Sequence, residues 1–301
     1  MNTNDYTAVC FGEILWDFLP DGAKQPGGAP MNVAYHLNQL GLPTAMISRI
    51  GNDALGDELF NYFTSKKVTG DFIQRDNIHE TSRVLAKLDG NNVTYDIVKP
   101  VAWDFIEYNA SLQNLVARAQ YFIFGSLGIR NETSRQTLME LLEIASQKIL
   151  DINLRKPHYE KSTLEYLIKH ADILKLNNDE LELLSEWYGF SGSDQDRILA
   201  LQDKFHLNTI LTTRGDKGAI VISDGNFYEH PGFKVKVADT IGSGDSFLAA
   251  FLSKFIKGLP VQQALEFASA MGAFIATQAG ACPTYSVSEI EVAVSSFPVN
   301  A

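Results

Sequence analysis

The chain is poor in cysteine, poor in basic residues relative to acidic ones, and without any long apolar run. Only two cysteines occur in 301 residues, Cys10 and Cys282. Two are too few for a disulfide framework or a structural zinc site, and both lie in apolar sequence that reads as buried free thiol. Lys and Arg total 25 against 36 Asp and Glu, a formal charge of -11. A nucleic-acid partner needs a basic groove to displace counterions, and no run of Lys and Arg supplies one. No stretch approaches the roughly 18 consecutive apolar residues of a membrane span. The N-terminal MNTNDYTAVCF has neither the basic flank nor the apolar core of a signal peptide, so a cytoplasmic location is expected.

Several familiar signatures are missing as well. There is no G-x-x-x-x-G-K-[ST] phosphate loop, no H-R-D set and no H-E-x-x-H. The segment from Phe124 to Gly128 is not a nucleophile elbow, and Gly242-Ser243-Gly244 lacks the third glycine of a dinucleotide fingerprint. The six histidines are scattered with no metal-ligand spacing and read as structural or solvated.

What remains is an alternation. Short, nearly continuous apolar runs at Ala8–Phe11, Ala45–Ile50, Tyr121–Phe124, Ile149–Ile152, Ile173–Leu176, Ile210–Thr213 and Ala219–Ser223 read as strands covered on both faces. Helical patterns fall between them: from Pro30 to a terminating Gly41, then Asp53–Lys66, Thr133–Lys148, Asn178–Trp187, Asp194–Phe205, Gly244–Lys257 and Val261–Gln278. The pattern predicts an α/β protein with a doubly wound, mainly parallel sheet flanked by helices. Ile14–Leu19 and a hairpin over Ser82–Val98, turning near Asp89-Gly90-Asn91, break the alternation. They read as antiparallel strands that leave the main sheet and pair as a small β lid. One domain is expected, with lid strands inserted at about 13–25 and 81–107.

Two glycine-rich segments carry chemistry. In Asp239-Thr240-Ile241-Gly242-Ser243-Gly244-Asp245-Ser246-Phe247 the glycines let consecutive N–H groups converge at a helix start. Such a nest binds phosphate oxygens, and Asp245 beside it can accept a proton from an attacking hydroxyl. A glycine turn with a capping acid explains the same residues without chemistry. In Gly27-Gly28-Ala29-Pro30-Met31-Asn32-Val33-Ala34 the paired glycines allow close approach of backbone to ligand, and Asn32 projects from the first helical turn.

Together these segments resemble the signatures of the ribokinase-like (PfkB) carbohydrate kinase family, and Gly-Gly-Ala-Pro-x-Asn-Val-Ala looks most like its fructokinase branch. The resemblance covers nearly the whole chain. It implies a ribokinase-like fold and an ATP-dependent transfer of the γ-phosphoryl group to a hydroxyl of a small sugar, with fructose first. The alternatives are 2-keto-3-deoxygluconate, ribose or a nucleoside, and, outside enzymes, a sugar-binding regulator without turnover.

Roles follow residue by residue from the resemblance. Asp245 matches the catalytic base, and Gly242, Ser243 and Gly244 the anion hole. Asp17, Gly28 and Asn32 match sugar contacts. Asn177-Asn178-Asp179-Glu180 is similar to the family's N-x-x-E element, which implies Glu180 acting on Mg²⁺ through water. Thr213, Gly215 and Gly218 match a T-x-G-x-x-G turn along the nucleotide phosphates. Asp151-Ile152-Asn153-Leu154-Arg155 resembles a D-x-N-x-R stretch, with Arg155 reaching an anionic group. Ser269 stands near the adenine where many relatives carry Asn, and Ser243 stands where Ala is common. The implied cofactors are ATP and Mg²⁺, with a monovalent cation such as K⁺ as a further candidate. The partners expected are the sugar and ATP, no nucleic acid and no membrane. A homodimer through the lid is also expected, formed by apolar faces at Trp16, Phe18, Val84 and Leu88. Sugar specificity is expected from lid residues such as Arg83, Tyr95, Trp103 and Phe105.

Overall fold

A computed structural model describes residues 6–19, 22–89 and 92–300, with only the backbone for 86–89 and 92–95. The expected hairpin tip at Gly90-Asn91 lies outside the described residues. The chain divides into two compact units, Met1–Asn38 with Pro43–Ser146, and Gln147–Ala301 with Gln39–Leu42.

In the first unit β1 (Ala8–Phe11), β2 (Leu15–Phe18), β3 (Lys24–Gly27), α1 (Ala29–Gln39), β4 (Thr44–Gly51), α2 (Ala54–Ser65) and β5 (Ile73–Asp76) come first. They are followed by β6 (Ser82–Asp89), β7 (Asn92–Ile97), α3 (Ala110–Arg118), β8 (Tyr121–Gly125) and α4 (Glu132–Leu142). Strands β8, β1, β4 and β5 lie side by side, all parallel. Consecutive residues such as Val9 and Cys10, or Met46 and Ile47, are all buried, as a strand covered on both faces requires. Burial also pushes the Cys10 thiol well above its ordinary pKa, so it stays an inert thiol.

Strands β3, β2, β6 and β7 form the small separate sheet. The pairing of β2 with β6 is parallel, with Asp17 opposite Val84, which corrects the expected antiparallel pairing. The chain returns to this sheet through the long crossover over β4 and β5 rather than a hairpin, the kind of connection that a parallel pair requires. The expectation of exposed apolar lid faces is also corrected at two positions. Trp16 and Val84 are only 6% exposed. Trp16 donates its indole N–H to the Leu55 carbonyl at 3.0 Å, so α2 of the same chain covers the Trp16 face, while Val84, opposite Asp17, is buried on the other face.

The second unit contains β9 (Gln147–Asp151), α5 (Lys161–His170), β10 (Ile173–Asn177), α6 (Asn178–Tyr188), α7 (Asp194–Phe205) and β11 (Thr209–Thr213). Then come β12 (Ala219–Ser223), β13 (Asn226–His230), α8 (Ser243–Phe255), α9 (Val261–Ala276) and α10 (Val287–Ser296). Strands β9, β10 and β11 are parallel; β12 and β13 complete the row antiparallel. The fold is therefore a mainly parallel α/β fold with helices flanking its strands and a small separate sheet. Helix α4 ends at Leu142 rather than Lys148, because β9 begins at Gln147. Helices α8 and α9 are Ala-rich and buried along much of their length, with Ala249, Ala250, Ala268 and Ala270 fully covered. Small side chains let two helices approach closely.

Candidate active site

The residues expected to bind and react divide between the two units. In the first, Asp17 on β2 sits opposite Gln25 of β3, one strand edge from the glycine pair. A methyl group on Gly27 would meet the Asp17 Oδ2 at 2.5 Å, so the carboxylate lies directly against this glycine. Gly28 has φ +116°, and a side chain there would run into the Glu13 carbonyl oxygen. Only glycine fits both demands. Asn32 donates its backbone N–H to the Gly28 carbonyl at 2.9 Å and is 4% exposed. Asp17, Gly28 and Asn32 are thus assembled around one turn at the start of α1.

In the second unit, Gly242 takes φ +78° and begins α8 without a side-chain cap. A methyl group there would meet the Ala281 Cα at 2.7 Å, so the position requires glycine twice over. The Ser246 N–H donates to the Gly242 carbonyl at 2.8 Å and the Ser243 N–H to the Thr240 carbonyl at 3.2 Å. The Ser243 amide, expected in an anion hole with those of Gly242 and Gly244, thus has an internal acceptor. Gly242 and Gly244 have no such acceptor among the described residues. Asp245, half-buried, stands in the first turn of α8. An acid placed there is favoured by the helix dipole.

The first Asp of the segment, whose role the sequence left unassigned, braces this turn. The Asp239 carboxylate accepts the Ile241 N–H at 3.0 Å and the Gly280 N–H at 3.3 Å. Asp239 therefore fixes the chain just before Gly242 and ties it to Gly280.

Beneath the turn lies a charged cluster that sequence reasoning only partly named. Lys175 on β10 is 5% exposed, and its ammonium donates to both oxygens of Asp151 at 2.9 Å. Burial alone would lower its pKa. The charges of Asp151, Glu180 and Asp245 outweigh burial and hold it above the ordinary lysine value. The signal available in sequence was a lysine in the middle of an otherwise apolar strand.

Glu180 closes a capping box with Asn177: its Oε2 accepts the Asn177 N–H at 2.8 Å, and the Asn177 Oδ1 accepts the Glu180 N–H at 2.9 Å. Its Oε1 accepts the Leu154 N–H at 2.7 Å. Burial and the neighbouring Asp151 charge push the Glu180 carboxyl up, against the opposing pull of Lys175 and the two N–H donors. A 4% exposed carboxylate with both oxygens engaged does not fit a direct metal ligand. Among the described residues no group of three or more His, Cys, Asp or Glu could hold a metal ion.

The remaining expected residues are placed less closely. Thr213, Gly215 and Gly218 form the turn joining β11 to β12, with the Arg214 N–H donating to the Gly218 carbonyl at 2.7 Å. The guanidinium of Arg214 is occupied by Glu229, at 2.5 Å. Arg155 is exposed and contacts the carbonyl of its own neighbour Leu154 at 3.1 Å. Ser269 on α9 is 8% exposed, and its hydroxyl has no hydrogen-bond partner among the described residues. Trp103 is fully buried beneath Arg130, 4.1 Å from its guanidinium, so its expected place among sugar-selecting contacts is corrected.

Taken with its relatives, this mainly parallel α/β chain is a phosphotransferase of the sugar kinase class. The chain matches the pfkB family carbohydrate kinases over residues 19–287, and it belongs to that family. It is 31% identical over 305 residues to fructokinase-2 of Zea mays, covering 91% of this chain and 90% of that one. It is 30% identical over 304 residues to the probable fructokinase-5 of Arabidopsis thaliana, covering 91% and 93%. Among solved structures, the Vibrio cholerae fructokinase with fructose, ADP and calcium bound superposes with a TM-score of 0.83 at 25% identity, covering 97% and 100%. An uncharacterized sugar kinase from Pyrococcus horikoshii in complex with ATP gives 0.79 at 28% identity, covering 94% and 96%. No helix among the described residues is long and apolar enough to cross a membrane.

Proposed function

We propose that this sugar kinase is an ATP-dependent fructokinase, moving the γ-phosphoryl group of ATP to a hydroxyl of fructose. The observation that carries the reading is Asp245 in the first turn of α8, beside glycine amides that have no backbone acceptor among the described residues. Relatives named fructokinase, about nine-tenths covered, support the choice of sugar.

In this reading Asp17, Gly28 and Asn32 hold the sugar, and Asp17 accepts hydroxyl donors on its two carboxylate oxygens. Asn177, Thr213, Gly215, Gly218 and Ser269 hold ATP, and Arg155 offers a cation to an anionic group. The Asp245 carboxylate takes the proton of the attacking hydroxyl as its oxygen bonds to the γ-phosphorus. The bond from that phosphorus to the β–γ bridging oxygen breaks and ADP leaves with the electron pair. The amides of Gly242 and Gly244 stabilise the negative charge developing on the transferred group. A divalent cation such as Mg²⁺ supplies charge neutralisation when it accompanies the nucleotide, and no step here depends on Glu180 ligating it.

A coupled ADP-release assay over fructose, ribose, 2-keto-3-deoxygluconate and a nucleoside tests the proposal. The highest kcat/KM is expected with fructose. A clear preference for another acceptor would replace the sugar, and no ADP release with any would overturn the proposal.

A further inference from the structure

We propose, on the reading that Asp245 and its neighbouring amides transfer the phosphoryl group, that Lys175 is a positioning residue for that transfer: its buried ammonium, clamped by Asp151, is the floor on which the start of α8 rests. Gly244 carries the main observation. Its backbone has an ordinary helical φ, so glycine is not there for a left-handed turn. A methyl group at Gly244 would instead stand 3.2 Å from the Lys175 Nζ and 3.8 Å from its Cε. What the missing side chain admits is the ammonium.

That placement opposes simple electrostatics. The N-terminus of a helix is its positive end, and a cation packed under it is repelled. Asp151, gripping Nζ at 2.9 Å through both oxygens, holds it there, with the charges of Glu180 and Asp245 acting from α6 and α8. An apolar pair of similar shape would cost no more stability and often less. The arrangement is therefore explained by what it does to the amide above it. The ammonium sets the height of the Gly244 N–H and joins β9, β10 and the helix start into one rigid base. It also adds positive potential below the place where the transferred group gains negative charge.

Two variants separate this role from plain stabilisation. Lys175→Gln keeps a donor for Asp151 but removes the charge. The pair Asp151→Leu with Lys175→Met removes both charges and fills the space. For each variant that retains a cooperative melting transition, kcat with fructose and ATP is expected to fall about 10²-fold, the scale of losing one oxyanion donor. The fructose KM is expected to stay within about twofold, because the sugar contacts lie in the other unit. A folded double variant, or a folded Lys175→Gln, turning over within about threefold of wild type would reduce Lys175 to a structural ion pair and overturn the proposal. Asp245→Asn, run alongside, reports on the underlying reading by itself. If that variant keeps full turnover, the site assignment fails whatever the lysine variants do.

Discussion

The Leu154 N–H donates to the Glu180 Oε1 at 2.7 Å, tying the loop after β9 to the first turn of α6. The same carboxylate caps its own helix through Asn177. Glu180 therefore acts as a brace between two segments carrying expected site residues. Its removal in Glu180→Ala is expected to cost about 1–3 kcal/mol, the penalty for leaving buried donors unmet. Glu180→Gln should cost less. The folded-state pKa of Glu180 lies above its unfolded value, so the neutral form is favoured by folding and loses that advantage as pH rises through the folded pKa. An amide keeps one oxygen acceptor for the two N–H donors of Leu154 and Asn177, where alanine keeps none. Urea titration of both variants without nucleotide checks the order.

Acid sensitivity is expected from two carboxylates of the first unit. Burial alone would raise the Asp53 pKa, but the N–H groups of Thr81 and Gly56, the Thr81 hydroxyl and the charge of Arg83 together hold it low. Asp76 is opposed by burial in the same way and held low by the N–H groups of His79 and Ile78, the His79 ring and Arg49. A carboxylate with a depressed folded pKa stabilises above its unfolded pKa of about 4 and loses that contribution as pH falls through the folded value. Asp53→Asn with Asp76→Asn should therefore be less stable than wild type at pH 7, the gap closing as pH falls below the unfolded value and through the depressed folded one. A gap independent of pH would contradict this.

Arg130 forms a buried ion pair that the sequence did not reveal. Its Nε and Nη2 donate to the Asp104 oxygens at 2.7 and 2.9 Å, and further bonds reach the carbonyls of Ile97 and Val98. It fastens the end of β7 to the turn that buries Trp103. Arg130→Met leaves Asp104 uncompensated and is expected to destabilise by about 3–5 kcal/mol. Arg130→Met with Asp104→Leu should recover much of that loss in the same denaturation measurement.

Gly242 combines a left-handed backbone with the close approach of Ala281. Gly242→Ala should lose about 1–2 kcal/mol from the backbone alone. Because Ala281 blocks relaxation, turnover should drop further than that stability loss explains. Kinetics of the folded variant decide this.

Most of the parallel strands were legible because burial on both faces leaves nearly continuous apolar runs; β1 begins and ends where its run does, and so does the equally buried antiparallel β12. Strand β13 was missed because Asn226–His230 is an edge strand with mixed, largely exposed residues. Helix α5 buries only Leu164, Leu167 and Ile168, and its N-cap Glu160 makes no side-chain cap bond, so its start gave little signal. At the site, Gly28 and Gly242 were readable because close approach and positive φ leave glycine as the only choice. The buried faces of Trp16 and Val84 were not, since partners 39 residues or more away in sequence decide which side of a two-faced strand is covered. Lys175 was absorbed into an apolar run, and its meaning appears only once Asp151 and Gly244 are seen around it.

The most direct test of the account is the turnover of Asp245→Asn with fructose and ATP. Loss of the base predicts kcat lower by about 10²–10⁴-fold with both KM values little changed. A folded Asp245→Asn enzyme working at the wild-type rate would contradict the assignment of that carboxylate as the proton acceptor.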